Sequence, residues 1–106
     1  MPHPLTDPAL QRFKFALDAL YGDRIARVVL FGSRARGDAR ADSDYDVAVF
    51  LNDMEPGMTE HFRLADLGLD FLDATGTNIE ALPLPASAMH RRTPLMYEIG
   101  KDGIEL

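Results

Sequence analysis

The chain has no cysteine, which removes disulfides, zinc-thiolate centres and thiol nucleophiles from its chemistry. It also lacks any apolar run of membrane-spanning length, and its opening Met1-Pro2-His3-Pro4 carries no secretory pattern. A cytoplasmic protein with no membrane partner is therefore expected. Internal repeats and low-complexity segments are absent. Positive charge is scarce: 11 Lys and Arg face 17 Asp and Glu, a net charge of −6. That balance argues against broad nucleic-acid binding, because a phosphate backbone would be repelled. At 106 residues, 46% hydrophobic and 26% charged, the chain suits one domain, residues 1–106, with a buried core.

The scarce positive charge is unevenly spread. Arg24, Arg27, Arg34, Arg36 and Arg40 place five of the nine arginines between positions 24 and 40. In their midst lies Phe31-Gly32-Ser33-Arg34-Ala35-Arg36-Gly37, followed by Ser43-Asp44-Tyr45-Asp46-Val47-Ala48-Val49-Phe50. The pattern predicts a strand ending in a Gly-Ser turn, a short basic helical segment, and a second strand that opens with two acids. Alternate side chains of a strand share a face, so Asp44 and Asp46 would lie roughly 6.5 to 7 Å apart and could converge on one cation. Val47, Val49 and Leu51 follow on the opposite face, as the buried side of a strand should. Charge at the mouth of a buried strand is costly unless a metal or an arginine compensates it. Mg²⁺ suits such a site, since it takes oxygen ligands, often one or two carboxylates plus substrate phosphates. Gly32 permits a tight turn, and Ser33 offers a hydroxyl and an N–H at the start of a helical segment, a setting that favours phosphate. Arg34 and Arg36 add fixed positive charge beside it. Either half of the pattern alone has an ordinary explanation, a turn or a solvated strand edge. Their conjunction in one short span is what points to a site.

The remaining chain supplies the frame. Thr6 or Asp7 can cap a first helix with Pro8 in its first turn and Leu10, Phe13, Leu17 and Leu20 at helical spacing, ending at Tyr21-Gly22-Asp23. Ile25 to Phe31 reads as a strand buried on both faces. After an Asn52 to Gly57 loop, Thr59 can cap a second long helix to about Ala74. Its apolar face is Phe62, Ala65, Leu69 and Leu72, widened by Leu64, Leu67 and Phe71, with Gly68 weakening it slightly. Asn78 to Leu84 reads as a third strand whose pairing Pro83 and Pro85 end. A short helix spans about Thr93 to Ile99, with Ser87 as a possible cap upstream. On the third strand Glu80 alternates against Ile79 and Ala81, so it can project toward Asp44 and Asp46. His61 and His90 have no partner at metal-binding spacing, Asp66, Asp70 and Asp73 suit a solvated helix face, Arg91-Arg92 suit the surface, and Tyr45, between the acids, must face the core.

Gly32-Ser33-Arg34-Ala35-Arg36-Gly37 followed by Ser43-Asp44-Tyr45-Asp46 resembles the signature of the DNA polymerase β-like nucleotidyltransferase superfamily, in the form found in the minimal nucleotidyltransferases (MNT proteins). The resemblance covers about residues 25 to 84. It implies an α/β (α+β) nucleotidyltransferase fold: a small mixed, twisted sheet of three to four strands with the long helices on one face. It also implies that Asp44, Asp46 and a third carboxylate, here Glu80 where Asp is usual, bind metal and carry catalysis. Two Mg²⁺ would then assist transfer from ATP, with Gly32, Ser33, Arg34 and Arg36 around the nucleotide phosphates.

A chain this short has little room for an acceptor-binding domain, so the acceptor should bring its own surface. In the resembling family the partner is typically a HEPN-domain RNase toxin, which the MNT antitoxin modifies with AMP on a tyrosine. Two alternatives stay open. A nucleotidyltransferase-fold protein with weak or no activity could neutralise its partner by binding, which Glu80 in place of Asp favours. An adenylyltransferase for a small molecule such as an aminoglycoside is the other, with a homo- or hetero-oligomer completing its pocket.

Overall fold

The computed structural model describes residues 3–106, so the opening Met1-Pro2 of the leader reading lies outside the described residues. A four-stranded mixed sheet runs in the order β3-β2-β1-β4, with β1 Ile25–Phe31, β2 Tyr45–Leu51, β3 Ile79–Pro85 and β4 Ile104–Glu105. β1 pairs antiparallel with β2 and β4, whereas β2 and β3 are parallel. A parallel pair needs a long crossover, and the helix α3, Thr59–Thr75, makes it. The other helices are α1 (Pro8–Tyr21), the single turn α2 (Ser33–Arg36) and α4 (Pro94–Asp102). Among the described residues, no helix is long and apolar enough to cross a membrane.

Strand alternation divides the sheet into two faces. Val28 and Leu30 of β1, Tyr45, Val47, Val49 and Leu51 of β2, and Ile79 of β3 form one core with α1 and α3. This is the expected packing of the two long helices on one side. Val29, Ala48 and Phe50 lie on the other face, against Ala88 of a 3-10 turn (Ala86–His90) and Ile99 of α4. This second cover shields only part of that face. Asp46 shares its parity with Ala48 and Phe50 and emerges at the end that α4 leaves open.

Asp7, not Thr6, caps α1: its carboxylate accepts the Ala9 N–H at 2.9 Å. Leu10, Phe13 and Leu17 are buried as expected. Leu20 is 38% exposed and Tyr21 replaces it in the core, where its hydroxyl also reaches Glu60 at 3.2 Å. Phe13 meets Phe71 of α3 edge to face, with centroids 5.3 Å apart.

The larger correction concerns α3. Phe62 and Leu69 are each 64% exposed, and Leu72 is 38% exposed. Buried instead are Leu64 and Phe71, with Leu67 partly so. Both stripes have helical periodicity, so periodicity alone could not choose between them. Gly68 chooses, because a Cβ there would stand 3.1 Å from the Ile79 carbonyl oxygen. The side lacking a Cβ is the one that can approach β3. The helix starts at Thr59 with Met58, not Thr59, in the capping position.

Pro83 and Pro85 do not end the third strand; they pair in register with Val49 and Leu51. The Tyr45 N–H donates to the Asn78 carbonyl at 3.2 Å, so even-numbered residues of β3 turn their backbone groups toward β2 and odd-numbered ones turn away. Proline at an outward position of an edge strand forfeits no ladder hydrogen bond. At the chain's end Thr93 caps α4 by accepting the Met96 N–H at 3.1 Å.

Glu60 ties the first turn of α3 to the end of α1 and the start of β1. Although buried, it accepts hydrogen bonds from Arg24 at 2.9 Å and Tyr21 at 3.2 Å and pairs with Arg63 at 3.3 Å. Burial alone would raise its carboxyl; the hydrogen bond and charge of Arg24 and the charge of Arg63 outweigh this and hold it below the usual range. Burial and adjacent Glu60 push the Tyr21 phenol up to about 12. A carboxyl lowered in the folded state stabilises above its unfolded pKa and stops doing so as pH falls through the lowered value. We expect Glu60→Gln to lose about 1 to 3 kcal/mol at pH 7, less with solvent around Arg24. Urea denaturation at neutral and acid pH checks this, and the gap to wild type should close in acid.

Candidate active site

β1 ends at Phe31, which pairs directly with Asp46 of β2. The chain then turns at Gly32, with φ 76° and ψ −158°, into α2. Glycine is required here for two separate reasons. The backbone conformation is one that other residues rarely adopt, and a Cβ would sit 2.6 Å from Asp46 Oδ2. The Gly-Ser turn and the second aspartate, 14 positions apart in the sequence, therefore touch. Ser33 opens α2 beside them and is half-buried.

Asp46 is half-buried, while Asp44 is exposed and lies just before β2, which begins at Tyr45. Glu80 pairs in register with Asp46 across the parallel β2–β3 ladder, on the same face and exposed to solvent. Burial, then the charges of Glu80 and Asp44, raise the Asp46 carboxyl above its ordinary value, and Arg36 only partly opposes them. Two of the predicted carboxylates, Asp44 and Glu80, thus bear electrostatically on the third, Asp46. They are not assembled into a closed cage: among the described residues, no group of three His, Cys, Asp or Glu side chains stands ready to hold a metal ion. A pair of carboxylates open to solvent, with excess negative charge, fits a hard cation that takes its other ligands from phosphates and water.

Arg34 braces the loop that follows α2. Its Nη2 donates to the Ser43 carbonyl at 2.7 Å and to that of Ala41 at 3.2 Å, and its Nε to Ser43 at 3.1 Å. The guanidinium also lies over the Tyr45 ring, 4.3 Å from its centroid. Tyr45 faces the core, as expected, and its hydroxyl donates to Asp7 Oδ2 at 2.6 Å. Burial and this hydrogen bond raise the phenol's pKa. Arg34 and Tyr45 thereby fix the loop that delivers Asp44. Asp7 was missed as part of this brace, although an aspartate preceding proline at a helix start is a visible capping signal. Arg36 is exposed beside Asp38 at 3.3 Å, with its charge felt at Asp46. A polar cavity of about 390 Å³ opens between this loop and the turn after α3, lined by Arg34, Asp44, Thr77 and Asn78.

His61 does not lie freely on the helix surface. Its Nδ1 is buried without a hydrogen-bond partner among the described residues, and the residue lines a groove of about 350 Å³ between α3 and β3 that includes Glu80. His90, Arg91 and Arg92 are exposed, as are Asp66, Asp70 and Asp73.

The family model of the nucleotidyltransferase domain matches residues 10–92. The MJ0141 protein of Methanocaldococcus jannaschii, a candidate protein adenylyltransferase, is 40% identical over 45 residues, 42% of this chain and 46% of its own length. Spectinomycin 9-adenylyltransferase of Staphylococcus aureus is 31% identical over 87 residues, 82% of this chain and 33% of that enzyme. The chain thus aligns with less than half of either relative. Among solved structures, a chain from a toxin–antitoxin complex with AMP-PNP superposes with a TM-score of 0.64 at 18% identity, covering 90% of this chain and 70% of that one. A chain from tri-AMPylated Shewanella oneidensis HEPN toxin in complex with MNT antitoxin gives 0.54 at 18% identity, covering 90% and 69%. At these identities the likeness establishes the shared fold.

A carboxyl raised in the folded state opposes folding once it ionises. We expect Asp46→Asn to raise the thermal midpoint of the metal-free protein by a few degrees at neutral pH. The gain should be full above the raised pKa and vanish as pH falls through the ordinary carboxylate range. Gly32→Ala should lower the midpoint, with a loss of about 1 to 3 kcal/mol of stability from the backbone alone. Calorimetric melts across pH measure both.

Proposed function

The chain belongs to the nucleotidyltransferase domain family, and from that premise we propose that it transfers AMP from ATP to a hydroxyl of a partner protein, as the antitoxin of a HEPN-type RNase toxin. The observation that carries the catalytic part is the contact of Gly32 with Asp46, which sets a Gly-Ser turn against a carboxylate whose charge Arg36 only partly compensates. The protein-acceptor part is supported by the likeness to a candidate protein adenylyltransferase and by the fold shared with a chain of an MNT–HEPN complex.

In this reading Asp44 and Asp46 hold Mg²⁺, and Ser33 binds the nucleotide phosphates, with Arg36 adding charge nearby. Arg34 keeps the Asp44 loop in place. Bound Mg²⁺ supplies charge neutralisation at the triphosphate and lowers the pKa of the acceptor hydroxyl. Glu80 stands across the ladder from Asp46 and accepts the hydroxyl proton. The acceptor oxygen forms a bond to the α-phosphorus, the bond from that phosphorus to the β-phosphate bridging oxygen breaks, and pyrophosphate leaves.

Two other readings each have one supporting observation. The exposure of Glu80 favours a protein that neutralises its partner by binding alone. Similarity to spectinomycin 9-adenylyltransferase favours a small-molecule acceptor, although most of that enzyme lies outside the aligned stretch.

We expect ATP binding, measured by calorimetry, to require Mg²⁺ and to be lost in the Asp44→Asn, Asp46→Asn double variant without loss of fold. Incubation with ATP, Mg²⁺ and a HEPN-domain partner should add the mass of AMP to that partner, and either single Asp→Asn change should abolish the addition. A partner that is inhibited yet unmodified would establish the binding reading instead.

A further inference from the structure

The solvent side of α3 carries more apolar surface than an isolated helix of a small acidic protein needs. Met58 is 53% exposed, Phe62 and Leu69 each 64%, and Leu72 38%. Single exposed apolar residues are unremarkable, but these recur at spacings of three and four with exposed Ala65 among them, forming one continuous stripe. From Phe62 to Leu72 it runs about 15 Å, three turns of helix. Along one flank stand Asp66, Asp70 and Asp73, all exposed. The one arginine of α3, Arg63, is drawn to Glu60. The other flank descends into the groove where His61, Gly68 and Leu69 meet Asn78 to Ala81, with Glu80 at the edge of the candidate active site.

We propose that this face docks an amphipathic helix of the acceptor protein, its apolar ridge on Phe62, Leu69 and Leu72 and its basic flank along Asp66, Asp70 and Asp73. The proposal rests on the protein-acceptor reading above and adds the surface that recognises the acceptor. Helix-on-helix packing uses anchors at such spacings, and a stripe of three turns matches one partner helix. Charge selects the occupant. In a two-fold pair of this chain with antiparallel α3 helices, the two aspartate columns would face each other. In a parallel pair, each column would lie against the other chain's Glu80 flank. Both arrangements set like charges together, so a second copy is disfavoured and a lysine- or arginine-flanked helix is favoured. The continuity with Glu80 gives the docking a purpose. A partner seated on the stripe lies beside the carboxylate site, so its hydroxyl can be presented with little search, as the proximity term of catalysis requires.

The probes are two synthetic three-turn helical peptides with the same leucine ridge, one flanked by lysine and one by glutamate. Titrated by fluorescence anisotropy into the full chain, the lysine peptide should bind at least about tenfold more tightly, a difference near 1.4 kcal/mol, with added salt weakening it. Leu69→Asp should weaken binding by a similar factor, and a triple Asp66→Lys, Asp70→Lys, Asp73→Lys variant should reverse the preference. Leu69, Asp66, Asp70 and Asp73 are exposed, so these changes should leave the melting temperature and Mg²⁺-dependent ATP binding unaltered. Binding by neither peptide, equal binding by both, or self-association of the wild type abolished by Leu69→Asp would each overturn the proposal. The Asp44→Asn, Asp46→Asn variant separates it from the catalytic reading. That variant should keep peptide binding while losing nucleotide. If the wild type binds the peptide but not ATP, the docking surface stands and the transfer reading fails.

Discussion

The site depends on the antiparallel pairing of β1 with β2, which sets Phe31 opposite Asp46 and brings Gly32 against the aspartate's carboxylate. This contact leaves no space for a side chain at position 32 and removes water from one side of a charge. The cost appears as a carboxyl that resists ionisation, made worse by Glu80 and Asp44 close by. An arrangement in which like charges gather beside a half-buried acid is unfavourable to the fold by itself. It becomes favourable when a cation shares the charge, which is why the geometry points toward phosphate chemistry and away from a purely structural role.

Other parts of the molecule hold that contact in place. Arg34 closes the intervening loop by binding backbone carbonyls, and it rests on Tyr45, which in turn reaches the cap of α1 through Asp7. The loop bearing Asp44 is thus anchored to the oldest rule of helix starts, a carboxylate accepting N–H groups. At the other end of the strands, Glu60 gathers Arg24, Arg63 and Tyr21 and keeps α3 seated on the sheet. In both braces a buried or half-buried acid is satisfied by groups from distant sequence positions. Among the described residues, the aspartates of the site have no such set of partners.

α3 shows how a small fold gives one helix two tasks. Its inner side, with Leu64, Gly68 and Phe71, completes the crossover between the parallel strands and packs against β3. The outer side is apolar as well, bordered by acids, and reaches the edge of the carboxylate site. A helix with apolar surface on two sides makes sense when only one of them is used for folding.

Read alone, the sequence determined the α/β class, the two long helices, three of the four strands among the described residues, and the glycine turn and acids beside the mouth of β2. Each follows from local information: helical spacing, alternation, a glycine where the chain must turn, and acids at a strand mouth. Local information did not decide which stripe of α3 is buried, because Phe62, Leu69 and Leu72 have the same period as Leu64 and Phe71. The approach of Gly68 to the Ile79 carbonyl made that choice. It did not foresee that Pro83 and Pro85 continue a strand, since only sheet order reveals that they point away from the ladder. Nor did it find the partners of Arg34, whose charge reads identically whether it faces a phosphate or a carbonyl. Type and period are properties of neighbours in sequence, whereas facing, burial and pairing are properties of neighbours in space, and those only the tertiary structure decided.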